Sequence, residues 1–287
     1  MQYTDIVVGT DGSAAGVSAV RWAATHAERV RARLRIVCVY HWPLPGPGRS
    51  TAQLDAPARA RALAVVAAAV ADARGAQPTV EVHGTAVLGL PSDALLTESR
   101  TAALLVVGSH GRSALASALL GSVGLQIATF AACPVVVVRG RAHTAIGPVV
   151  AGVDDTPSSE RVLETGFVEA HRRGCALVAV RAVEKDAPQV RAVALGGAGG
   201  LRAVAAIEVT EAVARLQDRY PAVPVEVELA AGNAADVLVA ASRSAQLIVV
   251  GHHGGGGLLG PSLDPVTHHL LQRSDCPVLV VHGMAPA

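Results

Sequence analysis

Aromatic residues are almost missing: Phe, Trp and Tyr make up 2% of the 287 residues. Stacking platforms are therefore lacking. The formal net charge is only +1 and no Lys/Arg run stands out, so nothing marks a nucleic-acid partner. With so few rings, the core has to be built from Ala, Val and Leu. Hydrophobic residues reach 51% and charged residues 16%, which suits small-residue helices on a Val-rich sheet and excludes disorder. No run attains the roughly 18–20 apolar residues of a membrane span. The longest candidate, Ala62 to Ala71, reads as a buried helix face. The N-terminus enters a strand at once (Asp5-Ile6-Val7-Val8-Gly9), with no charged segment leading into a signal core, so a cytoplasmic location is expected. The four cysteines, Cys38, Cys133, Cys175 and Cys276, form no CxxC and no zinc spacing. They are expected to be buried free thiols. A Walker lysine, a GxSxG elbow and an HExxH motif are also missing.

What is present is a repeat. One offset of 143 residues carries Gly9 to Gly152, Gly89 to Gly232, Gly108 to Gly251, Gly111 to Gly254 and Cys133-Pro134 to Cys276-Pro277. A period of that length is a duplicated domain, because solenoid units repeat about every 20–50 residues. The expected domains are 1–140 and 147–287, joined by the segment from Gly140 to Gly147.

Each copy alternates strand and helix. In the first copy the expected strands are Ile6–Gly9, Leu34–Tyr40, Thr79–Gly84, Leu104–Gly108 and Val135–Arg139. Helices are expected over about Ser13–Val30, Ala52–Ala73 and Leu115–Thr129, with a short one after Pro91. A Pro/Gly-rich loop is expected from Pro43 to Ala58. Apolar runs such as Leu104-Leu105-Val106-Val107 and Leu247-Ile248-Val249-Val250 are what parallel strands covered on both faces need. The fold class is α/β: two Rossmann-like domains in tandem, each a doubly wound, parallel five-stranded sheet. Ligands in such sheets sit beyond the carboxyl ends of the strands, at the topological switch point.

The sharpest chemical signal follows the fourth strand. It reads Gly108-Ser109-His110-Gly111, then nine residues, then Gly121-Ser122-Val123. Gly108 and Gly111 would let the chain turn tightly and bring backbone N–H groups to an anion. Gly121 would allow a second backbone approach and Ser122 adds a hydroxyl, with a helix terminus nearby. Asp11, just past the first strand, is placed to meet a ribose or to help hold a metal on phosphates. The alternative is an N-cap for the first helix, a job that Ser13 could do equally well. The second copy keeps Asp154, Gly251 and Gly254, but Asp264 and Pro265 stand where the first has Gly121 and Ser122. A carboxylate repels phosphate and proline offers no N–H. Gly255-Gly256-Gly257 adds loop entropy. The expectation is one competent site and one weakened site. His252-His253 and His268-His269 are paired in sequence, but neighbours on a helix diverge too far to share one ion, and no matching Cys or carboxylate spacing accompanies them. No metal site of the protein's own is expected.

These motifs, with Val7-Val8-Gly9-Thr10-Asp11-Gly12-Ser13 and Cys133-Pro134-Val135-Val136-Val137-Val138, resemble the universal stress protein family in its tandem form, over about residues 3–140 and 147–282. The resemblance implies an ATP site, with magnesium. Asp11 would lie at the ribose–adenine end, the backbone of Val39 at the adenine edge, and Gly108, Gly111, Gly121 and Ser122 at the phosphates. The implied cofactor-binding set is Gly9, Asp11, Val39, Gly108, Gly111, Gly121, Ser122 and Val123, with Asp154, Gly251 and Gly254 in the second copy. It also implies pairing through the last strands, Val135–Val138 and Val278–Val281, as an intrachain pseudo-dimer, and allows a further homodimer. The function implied is regulatory nucleotide binding in a stress response rather than catalysis. Slow ATP hydrolysis, and a nucleotide-free scaffold acting through an unnamed protein partner, are the alternatives.

Overall fold

A computed structural model of the chain describes residues 5–41, 51–111, 120–156, 158–183, 209–252, 255–257 and 260–282. The chain divides into two compact units, Met1–Ala142 and His143–Ala287.

The first unit runs β1 (Asp5–Gly9), α1 (Ala14–Val30), β2 (Arg33–Tyr40), α2 (Thr51–Ala76), β3 (Val82–Leu88), α3 (Pro91–Ser99), β4 (Leu104–Gly108), α4 (Ser122–Phe130) and β5 (Val135–Val138). All its strand pairs are parallel, in the order β3-β2-β1-β4-β5. The order reverses between β1 and β4, which is the switch point of a doubly wound sheet. The central strands are fully covered: Val7, Val8, Leu105, Val106, Val135 and Val136 have no solvent exposure. That is why they read as unbroken apolar runs rather than alternating ones. On the helix side the small residues Ala19, Ala23, Ala24 and Ala27 of α1 are likewise buried, so the helix lies close on the sheet without large side chains.

The second unit repeats this plan. It runs β6 (Val149–Gly152), α5 (Ser158–Arg173), β7 (Leu177–Val183), the helix α6 over 209–217, β8 (Val225–Ala231), α7 (Ala234–Ser242), β9 (Leu247–His252), β10 (Gly255–Gly257), β11 (Gly260–Ser262), α8 (Pro265–Arg273) and β12 (Val278–His282). Its main sheet is parallel in the order β12-β9-β6-β7-β8. The two units thus have the expected class, Rossmann-like α/β domains in tandem.

Several expectations need correction. The third strand lies at Val82–Leu88, not Thr79–Gly84. Its register against β2 runs from Leu34↔Val82 to Tyr40↔Leu88. Gly84 is therefore not its end: a Cβ there would come 2.4 Å from Val66 Cγ1, so α2 crosses the strand at this glycine. The Pro43–Ala58 loop is helical from Thr51 onward, with Pro57 inside α2; residues 42–50 lie outside the described chain. Within Ala62 to Ala71, Ala62, Val66 and Ala69 are buried, whereas Leu63 is 47% exposed. The apolar run covers more than one face of an amphipathic helix. The helix expected over Leu115–Thr129 begins at Ser122, and residues 112–119 fall outside the described set. Gly255-Gly256-Gly257 pairs antiparallel with Gly260–Ser262 instead of forming an open loop. Three cysteines are buried, but Cys175 is half-buried. Burial pushes the Cys133 thiol up to about 11, so it stays neutral and inert.

The stretch between the units is set by its glycines. Gly147 has φ +110°, and a Cβ there would meet the carbonyl oxygen of Ser244 at 2.0 Å. That neighbour is backbone and has nowhere to go. Gly147→Ala combines a strained φ with an overpacked contact and is expected to cost at least about 2 kcal/mol. The midpoint of urea unfolding checks this; an unchanged midpoint would mean that the turn can relax.

Candidate functional site

In the first unit the carboxyl ends of β1, β2 and β4 open into a cavity of about 640 Å³. This lies within the range of about 300–1,000 Å³ usual for small-molecule sites. Gly9, Asp11, Val39, Gly108, Gly111, Gly121, Ser122 and Val123 all line it. So do residues that sequence reasoning did not single out: Gly16 of α1, Tyr40 at the end of β2, His41 just after it, Arg61 and Val65 of α2, and Pro91 and Leu95 of α3.

Each polar group is placed by local chemistry. Ser13 caps α1, its hydroxyl accepting from the Gly16 N–H at 3.1 Å. Asp11 is therefore not the N-cap: one carboxylate oxygen accepts from the Ser13 N–H at 2.9 Å. The other reaches toward Gly111, where a Cβ would lie 2.9 Å from Asp11 Oδ2. Gly16 gives way to the same loop, since a Cβ there would stand 2.6 Å from Thr10 Oγ1. Gly108 is small for a different reason than expected. A Cβ there would strike the Ala15 backbone at 2.8 Å, so this glycine seats α1 against β4. Neither Gly108 nor Gly111 has a positive φ. They serve close approach, not a tight turn.

The Gly121 N–H donates to the Ser109 carbonyl at 2.8 Å. Its role is at the end of α4. Gly121 is the N-cap there and provides no side-chain cap. The first intrahelical bond runs from the Leu125 N–H to the Gly121 carbonyl. The N–H groups of Ser122, Val123 and Gly124 precede it, so the helix gives them no internal acceptor. A helix start of this kind, with its positive dipole end, favours an anion. Ser109 Oγ and His110 Nδ1 are 3.0 Å apart nearby. Among the described lining residues Asp11 is the one carboxylate, against the basic side chains of Arg61, His41 and His110.

The matching cavity of the second unit is smaller, about 280 Å³. Asp154 and Gly251 line it together with Asp264 and Pro265. Gly254 lies outside the described residues, as do His253 and the run Gly196-Gly197-Ala198-Gly199-Gly200. Asp264 is the N-cap of α8, its Oδ1 accepting from the Thr267 N–H at 2.8 Å. Of the paired histidines, His268 Nε2 lies 3.1 Å from Gln272 and His269 Nε2 lies 3.8 Å from Asp236, so the two turn to different partners.

Fold and cavity together define a tandem α/β protein with its ligand-sized cleft at the switch point of the first sheet. The sequence pattern of the Universal stress protein family matches residues 2–139 and 146–282, and the chain belongs to that family. A universal stress protein of Mycobacterium tuberculosis is 36% identical over 288 residues, covering 96% of each chain. One from Mycolicibacterium smegmatis is 34% identical over 286 residues, again with 96% of each covered. The crystal structure of a universal stress protein from Archaeoglobus fulgidus superimposes with a TM-score of 0.74 at 17% identity, covering 98% of this chain and 99% of that one; it shares the fold. Among the described residues no helix is long and apolar enough to cross a membrane.

Proposed function

We propose that the first unit binds ATP, with magnesium carried on its phosphates, and that the protein uses this binding as a regulatory signal in a stress response. The observation that carries the reading is the helix start of α4, uncapped by any side chain and lining the same cavity as Asp11. The N–H groups of Ser122 and Val123 and the Ser122 hydroxyl are the donors for the phosphates. Asp11 receives the ribose hydroxyls, and the strand end at Val39 faces the base. Magnesium keeps most of its waters and would be carried on the phosphate oxygens. Among the described residues the lining includes no second carboxylate and no lysine, a set suited to holding a nucleotide rather than to turning it over quickly. Units bounded at 1–140 and 147–287, a pairing of the last strands and a cytoplasmic site of action belong to the same reading.

Calorimetric titration of the full chain with ATP and magnesium tests it. One tight site per chain is expected, with hydrolysis no faster than about one turnover per hour, far below typical enzyme rates. No heat of binding under these conditions would remove the nucleotide reading and leave the scaffold alternative.

A further inference from the structure

We propose that the second unit is a self-liganded copy, in which the chain's own side chains stand where the first unit takes its nucleotide. The inference rests on the reading of the first unit as a nucleotide site. Two substitutions at equivalent positions carry it. At the helix start, Gly121 is replaced by Asp264. Its carboxylate accepts from the Thr267 N–H at 2.8 Å, so a fixed negative charge already sits on the positive end of α8. Pro265 follows as the first helical residue and removes one of the N–H groups an arriving phosphate would need.

At the opposite wall, Gly16 is replaced by Ser159. In the first unit that position holds no side chain, and one carboxylate oxygen of Asp11 is aimed toward Gly111. In the second unit the Ser159 hydroxyl donates to Asp154 Oδ1 at 2.7 Å and accepts from the Asp154 N–H at 2.8 Å. The Thr156 N–H donates to the same oxygen at 3.0 Å, as the equivalent Ser13 N–H does to Asp11 in the first unit, so the bonds to Ser159 are what the second unit adds. The Ser159 hydroxyl thus ties Asp154, through its N–H and its Oδ1, to the first turn of α5. The phosphate position holds an internal anion, and the carboxylate equivalent to Asp11 holds an added internal donor, the Ser159 hydroxyl. The second cavity is also the smaller, about 280 Å³ against about 640 Å³. Ser159 and Asp264 are the residues that set this exclusion, and a second nucleotide is rejected by built-in groups rather than by a lost fold.

The test compares the full-length wild type with Ser159→Gly/Asp264→Gly/Pro265→Ser by calorimetry, with ATP and magnesium as the probe. One site in the wild type and two in the variant is the expected result. Two sites in the wild type would overturn the inference while leaving the first-unit reading intact. One site in both, with cooperative unfolding retained, would also overturn it. No site in the wild type but one in the variant would support the exclusion and remove the first-unit reading; none in either would remove both. If the triple variant does not fold, Ser159→Gly/Asp264→Ser retains a capping hydroxyl and is read by the same titration, with one additional site expected and its absence overturning the proposal.

Discussion

Transplanting the second unit's helix start into the first, as Gly121→Asp/Ser122→Pro, is expected to weaken ATP binding by at least about 100-fold without lowering stability. The two halves of that expectation have separate causes. Ser122 offers an N–H and a hydroxyl, and each hydrogen bond to a charged group is worth about 1.5–3 kcal/mol. Losing both, with a carboxylate set against the phosphates, exceeds the roughly 2.8 kcal/mol that a 100-fold change requires. For the fold itself the same changes are favourable or neutral. Aspartate caps a helix slightly better than glycine, and proline is tolerated at the first helical position. The second unit demonstrates the compatibility, because Asp264 and Pro265 start α8 in this way. Calorimetry and the urea midpoint, measured on one preparation, check both halves. A variant that still bound ATP as tightly as the wild type would show that the phosphates lie away from the start of α4. Weak binding accompanied by a large loss of stability would point to misfolding instead.

Much of the fold was legible because each copy repeats one pattern at a fixed offset. Fully covered parallel strands such as Leu104–Gly108 and Leu247–His252 read as apolar runs, and their positions follow directly. The edge strand β3 was misplaced for the opposite reason. His83, Gly84 and Thr85 are exposed, so its sequence carries little apolar signal, and its place is set by pairing with β2. For the candidate site, the glycine spacing and the end of the first strand, with the family resemblance for Val39, named eight first-unit positions that all line one cavity. The spacing did not reveal what each glycine does. Gly108 faces the Ala15 backbone and Gly111 faces Asp11, contacts between residues nearly a hundred positions apart. Arg61 went unnoticed because an exposed arginine on an Ala-rich helix looks like any solvated charge. Gly16→Ser159 was equally visible in the repeat, but its consequence depends on where the hydroxyl points, which only the loop geometry shows.

Glu169→Ala is expected to destabilise the protein by about 3–5 kcal/mol, the largest single-residue effect on stability foreseen here. The Glu169 and Arg173 side chains of α5 are 5% and 4% exposed and form an ion pair at 3.1 Å. Arg172 adds a second contact to Glu169 at 3.3 Å. Arg173 also donates to Gln246 Oε1 at 3.3 Å, and Gln246 in turn donates to the Gly147 carbonyl at 2.7 Å. The network ties α5 to the segment that leads into β6. Removing the carboxylate leaves a guanidinium buried without its counter-charge, which is the costly way to break such a pair. Removing both charges is different. The equivalent first-unit positions hold His26, stacked on Trp22 with ring centroids 5.0 Å apart, and Val30, so this helix position does not require ions. Glu169→Leu/Arg173→Val is expected to recover most of the loss, because a buried pair is often replaceable by apolar residues of similar volume. The exposed pair Arg219–Glu164, with side chains 60% and 44% exposed, is the control: Glu164→Ala is expected to cost no more than about 1 kcal/mol. Urea unfolding of the four proteins separates the cases. If Glu169→Ala cost no more than the surface variant, Arg173 would have to find another acceptor or reach water, and the buried pair would not be what holds α5 in place.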